Sequence, residues 1–364
     1  MELPTELWST ILKKTRLVRN CDKLYTALPK QIREELKDTY DSHKESIDMR
    51  VYFAFQNWLT FYNNDHLEKE VLSQNIMAVR IVKNWDTLSG KRNCIVSATK
   101  NGVVMFWDAT TMDYIKSIDV GANISDIEFH PTKPIMLTVG VELFGRKLKI
   151  WRFDKSGNVV LISIESLGDD KKFFYFHPTA PEIYIFASHY SYNPYNLKLS
   201  KVYCCNYDTN SVSFSDRIQS FLYLSNYYMP LKINRDGSFE CVKYDGGANH
   251  FCKFVILDFD IEEIERQTIC KNTGIISSLV VWDFLRIGAD IYFYSNRAGD
   301  ACIYKQTGNK YIIIYQTMNA ISKMFHKNGF LVFVEKGELK FVDLETLSVD
   351  VVSLGEAPVD FCVM

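Results

Sequence analysis

The feature that most constrains this chain is an internal echo. The segments ISDIEFHPTKPIMLTVG, beginning at Ile124, and DKKFFYFHPTAPEIYIFAS, beginning at Asp170, both place Phe-His-Pro-Thr-x-Pro after an alternating strand. Their histidines, His130 and His177, lie 47 residues apart. AISKMFHKNGFLVFVEKG repeats the design at His326, with Asn-Gly in place of the proline turn. One such unit cannot bury its own apolar face, so neighbouring units must stack on it and the chain must be read as an array.

A second landmark follows each echo: a strand, a polar turn and another strand. GVVMFWDATTMDYIKSI carries Trp107-Asp108, and KLKIWRFDKSGNVVLI carries Trp151. The register continues through KVYCCNYDTNSVSF, KFVILDFDIEEIERQ, CIYKQTGNKYIII and LKFVDLETLSVDVV. It places Cys205, Leu257, Tyr304 and Val342 at the position of Trp107. The spacing stays close to a period of about 40–50 residues, stretched in the middle of the chain.

Residues 50–364 thus resemble the WD-repeat β-propeller family, on one Trp-Asp pair, one Trp-Arg pair and a repeated four-strand punctuation. The family's Gly-His dipeptide is absent: Gly121, Gly274 and Gly355 stand near its place, followed by Ala, Ile and Glu. The resemblance then implies that the buried His-Asp bracing of that family is mostly missing and that the blades lean on apolar packing. Six repeats begin near Asn75, Gly121, Asp169, Leu222, Ile275 and Ala320. The terminal APVDFCVM supplies only a first, innermost strand, and residues 51–72 supply three outer strands with no first. Joining the two ends gives a seventh blade and removes the open edges that a linear stack would leave. The expected fold is therefore mainly β: a seven-bladed propeller over 49–364, closed by N- and C-terminal strands in one blade. A small all-α module over 1–48 precedes it. Trp282-Asp283 is a decoy, because its position in the period belongs to an inner strand.

The opening MELPTELWSTILKK reads as a short amphipathic helix. Pro4 suits a first helical turn, Glu6 favours the N-terminal end and Lys13-Lys14 the C-terminal end. Leu7 and Ile11, and Trp8 and Leu12, are four apart, and Leu3 extends the stripe. Helical patterns follow at CDKLYTAL and at PKQIREELKDTY, where Ile32, Leu36 and Tyr40 share a face. Three short helices make a poor independent core, so they need apolar surface from the propeller flank or from a partner with a groove. LPTELWSTIL resembles the start of an F-box, the segment that docks on the Skp adaptor of Cullin–RING ubiquitin ligases. The resemblance maps adaptor binding onto Leu3, Pro4, Leu7, Trp8, Ile11 and Leu12. It adds Leu24, which with Asp22 matches the Asp-Leu start of the family's next helix. The family's Val-Cys-Lys-x-Trp-like ending is replaced by ALPKQIREELK. Divergent F-boxes placed before a propeller resemble those of large DNA viruses of single-celled hosts. A plain helical cap on the propeller is the other reading of this stripe.

No catalytic constellation is present: GxSxG, HExxH and the Walker phosphate loop are absent, and no catalytic or metal-ligating residue is assigned. His130, His177 and His326 recur at one turn of different repeats, so they sit around a ring and do not converge on a metal. No cofactor is expected. Nine scattered cysteines, without CxxC or zinc spacing, point to buried thiols in a reducing compartment, cytoplasmic or nuclear, in a host cell if the origin is viral. A net charge of −2 argues against a broad nucleic-acid or membrane surface. HYSYNPYN, at 189–196, is a polar-aromatic insertion, and Tyr190, Tyr192 and Tyr195 are the candidate target-binding residues. Lys171, Lys172 and Arg146 could rim an acidic ligand.

These readings converge on a substrate-recognition subunit of an SCF-type ubiquitin ligase, with a Skp-type adaptor and an unknown protein target as partners and no enzyme activity of its own. The alternative is a non-ligase WD-repeat interaction scaffold with a helical cap. A receptor for the damage-binding adaptor class ranks lower, because WDAT lacks the Arg that follows Trp-Asp by two positions. Nothing supports an enzymatic propeller.

Overall fold

A computed structural model describes residues 5–13, 18–46, 49–55, 58–63, 66–71, 75–85, 92–121, 123–142, 145–154, 156–166, 171–177, 182–190, 197–206, 227–234, 236, 238–245, 248–257, 260–271, 280–297, 300–308 and 310–364. Three helices, α1 (Thr5–Lys13), α2 (Val18–Ala27) and α3 (Lys30–Ser46), lead into seven antiparallel sheets.

The first strands in the chain, β1 (Arg50–Ala54), β2 (Trp58–Asn63) and β3 (His66–Val71), lack an inner neighbour of their own. Six further sheets follow in sequence. The first blade is β4 (Ile76–Trp85), β5 (Arg92–Thr99), β6 (Val103–Asp108) and β7 (Tyr114–Asp119). The second is β8 (Ile124–Phe129), β9 (Ile135–Glu142), β10 (Gly145–Phe153) and β11 (Val159–Ser166). The third shows three strands among the described residues, β12 (Lys171–Phe176), β13 (Glu182–Tyr190) and β14 (Leu197–Asn206). The fourth is β15 (Tyr227–Ile233), β16 (Phe239–Asp245), β17 (Ala248–Leu257) and β18 (Asp260–Lys271). The fifth is β19 (Val280–Ile287), β20 (Asp290–Arg297), β21 (Asp300–Thr307) and β22 (Lys310–Thr317). The sixth is β23 (Phe325–Lys327), β24 (Phe330–Glu335), β25 (Glu338–Asp343) and β26 (Val349–Ser353). The last strand, β27 (Asp360–Val363), returns to pair with β1, giving a seventh blade ordered β27-β1-β2-β3. The shared closure and the blade starts near Asn75, Gly121 and Ala320 are those read from the repeat, while Asp169, Leu222 and Ile275 lie outside the described residues.

Closure is made by a short ladder. Val51, Tyr52, Phe53 and Ala54 face Val363, Cys362, Phe361 and Asp360 in turn. Beyond the strand, Val359 N donates to Ala54 O at 2.7 Å and Met364 N to Arg50 O at 2.9 Å. Phe361 lies flat over Phe53, with centroids 6.1 Å apart, and edge-on to Phe325 of the sixth blade at 5.0 Å. A seven-membered ring has seven seams, and an apolar cluster fills six of them among the described residues. The closing seam joins Val51, Phe53 and Phe361 to Val332, Val334 and Phe341. Burying each such aromatic contributes about 2–3 kcal/mol. The ring therefore depends on packing between blades more than on any single ion pair.

The landmark positions occupy equivalent places. Trp107, Trp151, Cys205, Leu257, Tyr304 and Val342 all lie on the third strand of their blades. At Phe106/Trp107, Ile150/Trp151 and Ile303/Tyr304 the pairing with the fourth strand slips, a bulge that adds twist where the outer strand departs. Trp107 Nε1 donates to Ser97 Oγ at 3.1 Å, and Trp151 Nε1 to Thr138 Oγ1 at 2.9 Å, so each indole N–H is satisfied inside its blade. Asp108 caps its own turn, accepting from Thr110 N and Thr111 N, and Asp343 does the same with Glu345 N and Thr346 N. Met112 and Leu347 close these two turns with φ of 61° and 59°. Trp282-Asp283 lies on β19, an innermost strand, as the periodicity required.

The helices enclose a core of their own. Leu12, Cys21, Leu28 and Leu36 are buried together, with Trp8, Leu24, Tyr25, Ile32 and Tyr40 packed around them. Tyr25 stacks on Tyr40, Tyr25 OH donates to Arg33 O at 2.7 Å, and Thr5 Oγ1 donates to Glu35 Oε2 at 2.7 Å. No strand residue enters this cluster among the described residues. The expectation that the helices must borrow apolar surface is corrected accordingly: α3 is 17 residues long, and it supplies the floor on which α1 and α2 rest.

Phe361→Ala is expected to cost about 3–5 kcal/mol, because it empties the closing seam. Deleting residues 359–364 is expected to abolish the single cooperative thermal transition. A deletion variant that melts within a few degrees of the full chain would show that the seventh blade does not hold the ring.

Candidate interaction surface

Consecutive strands run antiparallel, so their connections alternate between two faces of the ring. Links from second to third strands, and from a fourth strand to the next blade, lie on one face, called upper here. The other links lie on the lower face. Arg50 starts β1, a second strand, so the helices enter at the lower face. There Arg50 Nη1 donates to Ala109 O at 2.9 Å and Thr110 O at 3.1 Å, and Tyr52 OH also donates to Ala109 O. Tyr190 ends β13, a second strand, and so opens on the upper face. It pairs with Leu197 across the insertion, while Tyr192 and Tyr195 lie outside the described residues.

The axis is lined by ionisable groups from the first strands. Asp360 is held from two sides: Lys323 Nζ and Arg80 Nη1 each lie 2.5 Å from one of its oxygens. Phe361 N donates to Oδ1 and Val79 N to Oδ2, so both oxygens are fully engaged. Arg80 continues to Asp126 at 3.6 Å and Glu128 at 3.7 Å. One chain of charge therefore joins the sixth, seventh, first and second blades. Across the axis, Lys232 of the fourth blade lies 3.3 Å from Asp283 of the fifth and donates to Phe284 O. Asp283 Oδ2 accepts from Met324 N, just before the sixth blade, at 2.6 Å.

Solvation and pairing pull these groups in opposite directions. Burial alone would raise the Asp360 pKa, but Lys323 and Arg80 outweigh it and hold the carboxyl below its ordinary value. Burial pushes Asp126 and Glu128 up, because Arg80 is shared among three carboxylates and compensates them only in part. On the third blade, burial and then the neighbouring Glu128, Asp126 and Asp283 raise the Tyr175 hydroxyl, which stays protonated. The sequence signal for this axis is one or two charges inside an otherwise apolar strand, as in IMAVRIV, ISDIEF and PVDFCV. It is a weak signal, because a charge in an alternating strand ordinarily faces solvent.

A cavity of about 390 Å³ opens beside Asp360, where the sixth blade meets the closing strand. Its walls include Ala320, Ile321, Val334, Pro358, Val359 and Phe361, and Lys323 and Lys336 are also among its lining residues. Lys336 and Gly337 form a two-residue hairpin turn with φ of 48° and 75°. Gly337 O accepts from Leu354 N at 2.8 Å, and a Cβ on Gly337 would lie 2.8 Å from the Glu356 carbonyl carbon. Only glycine allows the turn to press so closely against the closing segment. Below it, Glu335 is 4% exposed and accepts from Tyr315 OH at 2.5 Å, Asn319 Nδ2 at 2.7 Å, Thr317 Oγ1 and Lys340 Nζ. Burial would raise its pKa, but these donors outweigh it and hold it at about 2.

The remaining sequence candidates are distributed as follows. Leu3 and Pro4 lie outside the described residues. Leu7 lies on α1, and Trp8, Ile11 and Leu24 are half-buried at the helical cluster. Leu12 is fully buried in that cluster, so its part is to hold the helices together and it has no surface to offer an adaptor. His130 follows β8 and is buried; its Nδ1 accepts from Thr132 N and Lys133 N, capping the Pro-Thr turn. His326 lies on β23. Lys171 and Lys172 begin β12, and Arg146 lies on β10. Among the described cysteines, Cys94, Cys252 and Cys362 are buried.

With its closed ring, its seam cavity and its charged axis, the chain is a β-propeller. No family model matches it, and no curated protein matches it. Among solved structures it is similar to Sqt1 of Saccharomyces cerevisiae, at a TM-score of 0.52 and 10% identity over 84% of this chain and 82% of that one. It is also similar to a functionally unknown protein from Desulfotomaculum acetoxidans, at 0.57 and 10% over 87% and 98%. A third similar structure is a candidate 6-phosphogluconolactonase from Bacteroides fragilis, at 0.54 and 11% over 87% and 98%. Likeness at such identity shows the fold alone.

Because the folded Glu335 pKa lies below its unfolded value of 4.5, its contribution is complete above about pH 5 and fades as pH falls toward about 2. Glu335→Gln should therefore lower stability at pH 7 and flatten the acid limb of a pH–melting curve. A variant whose acid limb matches the parent chain would remove Glu335 from that account.

Proposed function

We propose that this chain is a WD-repeat-like interaction propeller acting as a substrate-recognition subunit of an SCF-type ubiquitin ligase. Residues 1–48 would dock on a Skp-type adaptor, and the propeller over 49–364 would hold a protein target. The observation that carries this reading is the separate core of α1, α2 and α3, attached at the lower face, opposite the seam cavity. A module with its own core can engage one partner while the far face engages another. The mechanism is proximity: a target held beside a charged ubiquitin-conjugating enzyme reacts at a raised effective concentration. The chain would act without an active site of its own, in the cytoplasm or nucleus.

With Leu12 enclosed, the adaptor contact would fall to the half-buried Trp8 and Ile11 of α1, and to Leu3, Pro4 and Leu7. The non-ligase scaffold reading makes the same helices a cap whose purpose is propeller stability. Full-length protein is expected to copurify with a Skp adaptor. Ile11→Asp is expected to lower that capture at least tenfold while the propeller melting transition stays in place. Absence of capture by the parent chain sinks the ligase reading, and a propeller destabilised by Ile11→Asp supports the cap.

A further inference from the structure

We propose that the seam cavity between the sixth blade and the closing strand binds an anionic group carried on an apolar body, such as an acidic residue beside an aliphatic one in an extended target segment. This rests on the reading of the propeller as the target-holding part. Four observations carry it. The cavity, about 390 Å³, has the size of a small-ligand site and holds one or two side chains. Its walls are aliphatic and aromatic, from Ile321, Val334, Pro358, Val359 and Phe361. Its one lining carboxylate is spent: both oxygens of Asp360 are taken by Lys323, Arg80, Phe361 N and Val79 N, leaving nothing to receive a cation.

The fourth observation is the charge left over. Among the described residues, Lys336 Nζ makes no hydrogen bond or ion pair, although its backbone is fixed in a left-handed turn at the cavity. Lys323 is 41% exposed; its ammonium donates to Asp360 and lies over the rings of Phe325 and Phe361, and one hydrogen bond does not use all three of its donors. A carboxylate or phosphate placed between the two lysines would gain charge-assisted hydrogen bonds, and the apolar walls would take the neighbouring side chain. Val359, 55% exposed at the rim, extends that apolar surface outward. The cavity is built half from the closing segment and half from the sixth blade, so an occupant also bridges the seam and should raise the melting temperature.

The test uses full-length protein and three probes: an acetylated, amidated hexapeptide containing Leu-Glu, the same peptide with Leu-Gln, and free N-acetyl-leucine. Titration calorimetry should show the Leu-Glu peptide binding and raising the melting temperature, and the Leu-Gln peptide binding at least tenfold more weakly. Lys336→Asn removes the charge while suiting the positive φ, so it should fold normally and lose at least fivefold in affinity. Lys336→Arg should retain binding. Binding of N-acetyl-leucine in place of the peptide would assign the site to a free small carboxylate, which keeps the ligand chemistry and changes its source. No binding by any probe at millimolar concentration would overturn the proposal, as would equal affinity for Leu-Glu and Leu-Gln peptides. Adaptor capture through the helices is unaffected by either result, so this site and the ligase reading fail separately.

Discussion

A twisted sheet with an unpaired inner edge is the constraint around which this chain is arranged. Six blades laid in sequence leave two raw ends: the outer flank of the sixth blade and three strands, β1 to β3, with nothing inside them. The last residues supply the missing strand, and the four-residue ladder of β27 converts an open stack into a ring. Such a short strand could not hold by backbone bonds alone. Phe361 packs between Phe53 and Phe325, and Asp360 draws Lys323 from one side and Arg80 from the other. Apolar area supplies most of the energy. The charges fix register, because slipping β27 by one residue would turn Asp360 away from both cations and Phe361 out of its seam.

The axis shows why buried charge is tolerated here. Each of these partly buried acids has a cation or a backbone N–H within reach, and Arg80 serves three of them. Where compensation runs short, at Asp126 and Glu128, the carboxyl pKa rises, as expected when burial exceeds pairing. The network joins blades remote in sequence, such as residues 80 and 360, which apolar packing between neighbouring strands would not specify so sharply.

Much of this was legible in the residues. The Phe-His-Pro-Thr echo, the Trp107 and Trp151 landmarks and the orphan strand APVDFCVM mark the seven blades and their closure, because strand period and turn chemistry are local properties. The decoy Trp282-Asp283 was correctly assigned to an inner strand by spacing alone. Three things were hidden. The axial chain was hidden because whether a lone charge such as Arg80 faces solvent or a partner depends on strands far away in sequence. The self-sufficiency of the helices was hidden because Leu12 and Leu36 look like one stripe each until α3 lies across α1. The seam cavity was hidden because it forms only where residues 320–323, the turn at Lys336-Gly337 and residues 357–361 meet.

The same geometry separates two kinds of contact. The helices hang from the face where Arg50 clamps the turn at Ala109, and the cavity opens on the other. The central claim is that β27 closes the ring. Native-state hydrogen exchange measures this most directly, through the amides that bond across the ladder and its ends. The account predicts that Val359 and Met364 exchange as slowly as interior amides of the first blade. Rapid exchange at these positions, with the rest of the propeller still protected, would contradict it.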